Sequence, residues 1–242
     1  MIQALTFDLW DTLVVDDSDE ADREALGLPT KAQARRLLVE RELAAHGIPS
    51  SASGEALDRA TAWCKRSWDE EAHTPTLRAQ LSKVHELLDL SPGPGFEALV
   101  EAFATMEVIH PPKPAPGVHE ALELLSSRYP LGIVSDAVIT PGRELRRILQ
   151  AHGMLHYFQV CVFSDEAGHS KPAPQVFERA AAGLGVPLQR LAHVGDRVDK
   201  DVVGAQRAGA RGILYTGVLD RGGSAELRVD HLGDLAALVA SL

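Results

Sequence analysis

Asp8 is the first side chain of this sequence whose type and position suit covalent chemistry. It lies near the end of an apolar, β-favouring run, residues 2–9, which indicates a buried strand. A carboxylate at the carboxyl end of such a strand is held rigidly and presented to a pocket, as a covalent nucleophile must be. The competing interpretation is a loop carboxylate that only accepts hydrogen bonds from nearby backbone amides.

Two further polar residues lie where they can assist an anionic nucleophile. Ser135 ends the apolar run 131–135, and its hydroxyl can donate a hydrogen bond to a phosphoryl or carboxylate oxygen. Lys171 stands just before a predicted helix and is followed by prolines that restrict the backbone. A cation held there can balance both the nucleophile and an anionic substrate, whereas an isolated lysine is usually solvated.

Two aspartates close to one another suggest a metal site. Asp196 follows the apolar run 191–194, and Asp201 lies near the start of the next helical pattern. Carboxylates that converge on Asp8 would repel one another by roughly 4 kcal/mol per pair at 4 Å and an effective dielectric constant of 20. Mg²⁺ removes such repulsion and suits sites with one or two carboxylates and a phosphate. We therefore expect Asp196 to be a direct ligand and Asp201 a weaker, outer candidate.

The elements that must position these residues alternate between strands and helices. Apolar runs at residues 2–9, 131–135, 160–164, 191–194 and 212–215 are separated, later in the chain, by helical patterns at 141–151, 174–184 and 199–208. This alternation predicts an α/β fold with a Rossmann-like parallel sheet covered by helices. In such sheets ligands bind outside the carboxyl ends of the strands, where Asp8, Ser135 and Asp196 are expected.

The segment 16–111 differs from the remainder, because its apolar residues recur at helical spacing. Thr30 and Gln33 form a capping-box pattern ahead of one apolar stripe, and three further amphipathic stretches follow. Amphipathic helices in succession predict a small bundle inserted after the first strand. We therefore predict a core domain of residues 1–15 and 112–242 and a helical cap domain of residues 16–111.

Composition limits the partners and the compartment. The chain has 242 residues, 45% of them hydrophobic, and a formal net charge of −10, which disfavours nucleic acid as a partner. Its two cysteines lack CxxC spacing, which argues against a disulfide framework and a structural zinc site. No apolar run approaches the roughly 18 residues of a membrane span, and the start lacks the pattern of a signal peptide. We therefore expect a cytoplasmic globular protein without a membrane partner.

In their order and spacing, these stretches resemble the motifs of the haloacid dehalogenase-like (HAD) superfamily of hydrolases. The resemblance covers nearly the whole chain, and its matching stretches are Phe7-Asp8-Leu9-Trp10-Asp11-Thr12-Leu13, Val134-Ser135-Asp136, Lys171-Pro172-Ala173-Pro174 and Gly195-Asp196 with Asp201. It looks like the type with a helical cap between the first and second motifs. Most members with this layout are phosphatases acting on small phosphorylated metabolites.

The resemblance implies roles for individual residues. Asp8 would attack the substrate, while Ser135 and Lys171 would orient the phosphoryl group. The implied catalytic and substrate-binding residues are Asp8, Ser135, Asp136 and Lys171. The implied Mg²⁺ ligands are Asp8, the main-chain carbonyl of Trp10, Asp196 and, as the weaker candidate, Asp201.

Trp10 departs from the pattern of the family's phosphatases, which usually carry a second Asp two residues after the nucleophile. That Asp protonates the leaving group and later activates water, and an indole cannot carry a proton in this way. Asp11 is adjacent but is expected to point in a different direction. The more distant groups that the sequence offers as replacements are Asp16, Asp17, His73 and His85.

Three functions remain open at this point. A Mg²⁺-dependent phosphatase that forms an aspartyl-phosphate at Asp8 is favoured, with a small phosphorylated substrate and a monomeric or homodimeric chain. Dehalogenases of the superfamily also lack the second Asp and commonly carry an aromatic residue there. They use no metal, however, and have a non-acidic fourth motif, whereas this chain has Asp196. The third possibility is a phosphometabolite-binding or partner-binding module without turnover.

Overall fold

Six parallel strands form one sheet in the order β3-β2-β1-β4-β5-β6, in a computed structural model that describes residues 1–242. Every neighbouring pair of strands is parallel. The predicted α/β fold with a Rossmann-like parallel sheet is therefore confirmed. The strands are β1 (Ala4–Phe7), β2 (Leu131–Ser135), β3 (Phe158–Phe163), β4 (Leu191–Gly195), β5 (Arg211–Tyr215) and β6 (Arg228–Val229).

Helices cover both faces of this sheet, as a parallel sheet requires. Leu5 and Phe7 of β1 pack into one hydrophobic core and Ala4 into a second, because alternate side chains of a strand point to opposite faces. None of the helices combines the length and the apolar character needed to cross a bilayer. The helices are α1 (Glu20–Ala25), α2 (Lys31–Ala44), α3 (Ser50–Glu70), α4 (Leu77–Glu86), α5 (Phe96–Ala104), α6 (Met106–Ile109), α7 (Val118–Ser126), α8 (Gly142–Ala151), α9 (Ser164–Ala167), α10 (Pro174–Gly183), α11 (Val203–Ala208) and α12 (Leu235–Ala240).

The carboxyl ends of the central strands are in register. Phe7 of β1 pairs with Ile133 of β2 on one side and with Val194 of β4 on the other. Asp8, Ser135 and Asp196 follow these paired residues by one or two positions. Because parallel strands end at the same edge of a sheet, all three side chains lie at that edge, as predicted.

Helices α2 to α5, here called the cap helices, pack around a hydrophobic core of their own. Its 12 buried residues all lie between Val39 and Ala104, and the two cores beside the sheet contain no residue from this range. At the start of α2 the predicted capping box is present, with Thr30 Oγ1 accepting from the Gln33 N–H at 3.2 Å. The domain boundaries at residues 16 and 111 stay a prediction.

The helix predicted over residues 199–208 is only partly right. The chain first forms a π-helical turn, Val198–Val202, and only then enters α11. The N–H groups of Asp201 and Val202 share the Arg197 carbonyl at 2.9 and 3.3 Å, which widens this turn. Such turns are frequent at functional sites, and this one holds Asp201. Helices α1, α7, α9 and α12 and the strand β6 have no counterpart in the sequence prediction.

Candidate active site

Asp8 and Lys171 form a buried ion pair at the carboxyl edge of the sheet. Asp8 directly follows β1, is 5% exposed, and donates its backbone N–H to the Val194 carbonyl at 2.8 Å. The Lys171 Nζ lies 2.6 Å from Asp8 Oδ1. The structure thus brings together the predicted nucleophile and the predicted cation.

Lys171 is the shared cation of several carboxylates. Its Nζ also donates to Asp201 Oδ1 at 2.6 Å, and its backbone N–H donates to Asp136 Oδ1 at 3.0 Å. Burial alone would lower the pKa of Lys171, but Asp201, Asp8 and Asp136 together raise this pKa above its usual range. The ammonium therefore stays charged at neutral pH and is fixed against Asp8.

Asp201 lies behind Lys171, and both of its carboxylate oxygens are already hydrogen-bonded. Oδ1 accepts from Lys171 and lies 3.2 Å from His193 Nε2, while Oδ2 accepts from the Arg197 N–H at 2.8 Å. The other nitrogen of His193 contacts Thr6 Oγ1 at 3.0 Å. Burial would raise the pKa of Asp201, but Lys171 and His193 hold it well below its usual range. Asp201 therefore acts on the site by positioning Lys171.

Gly195 makes room for this carboxylate. A Cβ added at position 195 would lie 2.3 Å from the Cγ atom of Asp201, a distance that non-bonded carbon atoms do not tolerate. Any side chain at this position would displace Asp201 and, with it, the ammonium of Lys171. The Gly-Asp pair at the end of β4 thus serves both the positioning carboxylate and the candidate metal ligand Asp196.

Arg221 is a site residue that the sequence analysis missed. Its guanidinium donates through Nε to Asp196 Oδ2 and through Nη2 to Asp11 Oδ2, the second contact at 2.6 Å. Burial, reinforced by the charges of Asp8 and Asp201, raises the pKa of Asp196 to about 6 despite this partner. Arg221 lies in the loop after β5, where no motif or periodicity marks it.

The aspartate cluster offers a donor set that fits Mg²⁺. Asp8, Asp196 and Asp201 each contribute one oxygen to a group whose members lie within 4.8 Å of one another. Burial and the charges of Asp8 and Asp201 disfavour the ionised form of Asp196, and a divalent cation bound here would favour it. Both oxygens of Asp201 are already hydrogen-bonded, so Asp8 and Asp196 are the carboxylates better able to bind a metal ion. Trp10, whose main-chain carbonyl is the other predicted ligand, lines a cavity together with Asp8 and Asp196.

Ser135 and Asp136 follow one another at the end of β2 with different environments. Ser135 is 1% exposed, and its Oγ has no hydrogen-bond partner. Leaving a buried hydroxyl unpaired costs about 1–3 kcal/mol, so this hydroxyl has unused hydrogen-bonding capacity. Asp136 instead accepts from both Lys171 and the Trp68 indole, and burial raises the pKa of Asp136 to about 6.

Trp68 of the cap helix α3 connects the cap helices to the sheet edge. Besides the 2.8 Å hydrogen bond from its Nε1 to Asp136, its carbonyl accepts from Lys200 Nζ at 3.1 Å. Lys200 Nζ lies 4.4 Å from the centre of the Trp68 ring, and Arg197 Cζ lies 5.5 Å from it. Two cations and one carboxylate of the core thus hold this indole over the site.

A cavity of about 240 Å³ lies between the sheet edge and the cap helices. Five of the predicted site residues line it, whereas Ser135 and Asp201 lie behind its wall. The predicted residues in the lining are Asp8, Trp10, Asp136, Lys171 and Asp196. The other charged residues in the lining are Asp16, Asp17, Arg35, Glu107, Arg197, Lys200 and Arg221.

Comparison with known proteins supplies the family. A family model described as haloacid dehalogenase-like hydrolase matches residues 2–209. The chain belongs to this family. A HAD phosphatase from Thermococcus onnurineus aligns over 98% of both chains with a TM-score of 0.67 at 23% identity. A 2-haloacid dehalogenase from Pseudomonas syringae aligns over 100% of this chain and 99% of its own, with a TM-score of 0.68 at 23% identity. At this level of identity the likeness shows the fold alone.

Curated relatives match a shorter part of the chain. A glyceraldehyde 3-phosphate phosphatase from Methanopyrus kandleri is 38% identical over 98 residues, which are 40% of this chain and 41% of the relative. The chain thus spans less than half the length of this relative. The shared segment supports membership of the haloacid dehalogenase-like family, and the relative's activity describes that relative.

The four residues considered as replacements for the missing second Asp differ in whether they line the cavity. Asp16 and Asp17 line the cavity, whereas the imidazoles of His73 and His85 do not. His73 contacts the Gly168 carbonyl through Nδ1 at 3.1 Å, and His85 is buried among the cap helices. Burial, with the neighbouring Asp17, raises the pKa of Asp16 to about 6. Asp136 and Asp196 have similarly raised pKa values, but they are bonded by Trp68 and Lys171 and by Arg221, so among the four replacement residues Asp16 is the one suited to exchange a proton.

Asp11 does not take over this role, in agreement with the sequence analysis. Its backbone has a positive φ of 52°, which turns the loop, but the side chain is held away from the cavity. Asp11 Oδ1 accepts from the Asp16 N–H at 3.0 Å, and Oδ2 accepts from Arg221 at 2.6 Å. Asp11 therefore shapes the loop and orients Arg221.

Proposed function

We propose that the chain is a Mg²⁺-dependent phosphomonoester hydrolase that forms a phosphoryl intermediate on Asp8. The observation that carries this proposal is the 2.6 Å contact between Lys171 Nζ and Asp8 Oδ1 in the wall of a charged cavity. Buried ion pairs contribute little net stability, so a pair that lines a cavity favours a role in chemistry. Lys171 is paired with Asp8 and is placed to neutralise charge on a phosphoryl group.

The reaction would proceed in two displacements at phosphorus. Asp8 Oδ attacks first, so that a bond between this oxygen and phosphorus forms while the bond to the leaving oxygen breaks. Water then attacks phosphorus, which releases inorganic phosphate and restores the carboxylate of Asp8. Lys171 balances the phosphoryl charge, and the unpaired Ser135 hydroxyl is available as a hydrogen-bond donor. Mg²⁺ held by Asp8 and Asp196 would supply Lewis-acid stabilisation of the phosphoryl oxygens.

A small phosphorylated metabolite is the proposed substrate class. The cavity volume suits a small molecule, and Arg35, Arg197 and Lys200 in its lining can attract an anion. The printed names of curated relatives, such as glyceraldehyde 3-phosphate phosphatase, support the same class. Residues 16–111 would act as a cap that excludes water from the reacting groups. Neither nucleic acid nor a membrane is part of this proposal.

The indole at position 10 predicts a steep dependence on the leaving group. Aryl and acyl phosphates should turn over at least about 10²-fold faster than alkyl phosphates, because their leaving groups need no general acid. Asp16→Asn should widen this gap further, since it removes a carboxyl group of the cavity whose pKa is raised to about 6. The measurement is kcat for a series of phosphomonoesters of graded leaving-group pKa. Equal rates across the series would contradict the proposal that the acid is missing.

Trp10→Asp should partly restore general acid catalysis. The new carboxyl group would line the cavity next to Asp8, so hydrolysis of alkyl phosphates should rise by about tenfold or more. Trp10→Asn is the matched control, because asparagine has the same shape as aspartate. It has no carboxylic proton to donate, so it should give no such gain. An equal gain in both variants would show that cavity space, rather than proton transfer, limits the reaction.

A 2-haloacid dehalogenase activity is the second candidate, and two observations favour it. Trp10 removes an acid that expulsion of halide does not need, because halide leaves as a stable anion. Arg221 already pairs with Asp196, so the site contains a cation of its own at the candidate metal ligand. In this reaction Asp8 would attack carbon rather than phosphorus. Asp196 and Asp201 favour the phosphatase over this candidate, because carboxylates suit a Mg²⁺ site.

One substrate panel, run with and without Mg²⁺, distinguishes these functions. We expect release of inorganic phosphate from phosphomonoesters that depends on Mg²⁺. Release of halide from 2-haloacids without metal would instead establish the dehalogenase. No turnover of either class, with a raised melting temperature in the presence of phosphorylated ligands, would establish a binding module.

A further inference from the structure

Three side chains of the cap helices form a cluster unrelated to the catalytic cavity. Glu42 lies on α2, His46 follows the end of α2, and His85 lies on α4. We propose that Glu42, His46 and His85 bind a borderline divalent transition metal, with Zn²⁺ as the cation of choice. The sequence argues against a zinc site only through its cysteines, and this cluster contains none.

Two distances within the cluster lie close to the edge length of a tetrahedral site, although they involve different oxygens of Glu42. Glu42 Oε2 lies 3.1 Å from His85 Nε2, and Glu42 Oε1 lies 3.5 Å from His46 Nε2. One ligand atom from each residue falls within 4.8 Å of the other two. With metal–ligand bonds of about 2.0–2.2 Å, the edges of a tetrahedron measure about 3.3–3.6 Å. Small side-chain adjustments would therefore bring the three donors onto one ion.

The hydrogen bonding of His85 calls for a cation between this ring and Glu42. Nδ1 of His85 lies 3.0 Å from the Leu81 carbonyl, which can only accept, so Nδ1 carries a proton. In a neutral ring Nε2 then bears a lone pair, and this lone pair faces the Glu42 carboxylate at 3.1 Å. Two acceptors at this distance need either a proton or a metal ion between them. A histidine that donates to a carbonyl through its other nitrogen is the usual arrangement of a metal ligand.

Glu42 provides an independent observation. Its side chain is 7% exposed, and Oε1 is buried without any hydrogen-bond partner. A buried carboxylate oxygen without a hydrogen-bond donor is costly, because the oxygen has lost its hydration. Oε1 points toward His46, the third member of the cluster, so a shared metal ion would satisfy it.

The cluster can be reached from solvent on the side of His46. The His46 side chain is 26% exposed, and both His46 and Glu42 line a cavity between α2 and the loop before α5. This loop approaches closely, since a Cβ at Gly93 would lie 2.8 Å from His46 Nε2. On the opposite side His85 packs against the ring of Phe96, with centroids 5.1 Å apart. Three protein ligands with one open side leave room for water as a fourth ligand.

The donor types separate this site from the aspartate cluster beside β1. Two imidazole nitrogens and one carboxylate suit Zn²⁺, Co²⁺ or Ni²⁺, whereas the oxygen-only set of Asp8 and Asp196 suits Mg²⁺. A bound ion would link α2 to α4 within the cap helices. The expected effect is thus on the stability of these helices, independent of whether the chain hydrolyses phosphomonoesters.

The test is calorimetric titration of the chelator-treated protein with Zn²⁺ in the presence of saturating Mg²⁺. We expect one Zn²⁺ per chain with micromolar or tighter affinity, and a rise in Tm of about 5–10 °C at 100 times Kd. Co²⁺ bound in its place should show the visible absorption of a four-coordinate ion with nitrogen ligands. Absence of binding above the Mg²⁺ background would show that a proton alone joins His85 to Glu42 and would overturn the proposal.

Substitutions of the cluster residues test where the ion binds. Glu42→Gln and His46→Ala should each weaken Zn²⁺ binding by more than about tenfold, and His46, being partly exposed, can be removed without a buried cavity. His119→Ala is the matched control, because His119 is an exposed histidine outside the cluster and its loss should leave the affinity unchanged. Unaltered binding in the Glu42 and His46 variants, or loss of the bound Zn²⁺ in Asp8→Asn, would place the ion elsewhere and refute the proposal.

Discussion

Replacing Asp8 by asparagine is expected to lower phosphate release by at least about 10⁴-fold, because the amide is a far weaker nucleophile than the carboxylate. The variant should still fold, since Lys171 retains its 2.6 Å contact with Asp201 and Asp136 still accepts from the Lys171 backbone. Steady-state release of phosphate from an aryl phosphate at saturating Mg²⁺ is the measurement, with the melting temperature recorded in parallel.

Asp58→Asn is a suitable control for this prediction. It is the same substitution on an exposed residue of α3, whose side chain is 66% accessible, and it should leave turnover unchanged. Wild-type activity in the Asp8 variant would remove Asp8 from the chemistry. Loss of activity together with loss of the folded state would instead mean that the carboxylate is needed for stability, contrary to our account of Lys171.

Replacing Lys171 by methionine should have the largest effect on stability. The change removes the cation from buried Asp8 and Asp201, and breaking a buried ion pair on one side typically costs about 3–5 kcal/mol. Without the ammonium, which lowers the pKa of Asp201, burial should raise that pKa in the folded state. Stability is therefore lost as pH rises through the raised pKa, and the deficit should be larger at about pH 8 than at about pH 5. Urea unfolding at both pH values measures it.

Two comparisons make this second prediction specific. Lys65→Met, on the exposed surface of α3, should change the free energy of unfolding by less than about 0.5 kcal/mol. Adding Asp8→Asn to Lys171→Met should recover part of the loss, because one unpaired buried charge disappears. A Lys171→Met protein within about 1 kcal/mol of the wild type would contradict the idea that Lys171 is the main counter-charge of the site.

The strand ends were predictable from the sequence because two strong regularities act there. Short apolar runs alternating with helices leave little choice but a parallel sheet, and the carboxyl ends of its strands must meet at one edge. Asp8 and Asp196 were found in this way. Lys171 was found because prolines fix its loop at the start of a helix. The capping box at Thr30 was found because its partners are local in sequence.

The missed features depend on contacts between distant segments. Arg221 reaches Asp196 and Asp11 from a loop without regular structure, so no spacing connects these residues in the sequence. Trp68 lies on a cap helix, where an aromatic residue at helical spacing usually packs into the cap core, yet its indole hydrogen-bonds to Asp136 at the sheet edge. Both contacts arise only when the cap helices and the loop after β5 are folded against the site.

The central claim is that Asp8 carries the phosphoryl group during turnover. Because Trp10 cannot act as the base that activates water, breakdown of this intermediate should be slow, so it should accumulate. We propose mixing the protein with acetyl phosphate and Mg²⁺, quenching in acid, and locating the phosphoryl group in peptides by mass spectrometry. We expect modification of Asp8 that disappears in Asp8→Asn and without Mg²⁺. Continued phosphate release with no phosphoryl group on Asp8, or with the group on another residue, would contradict it.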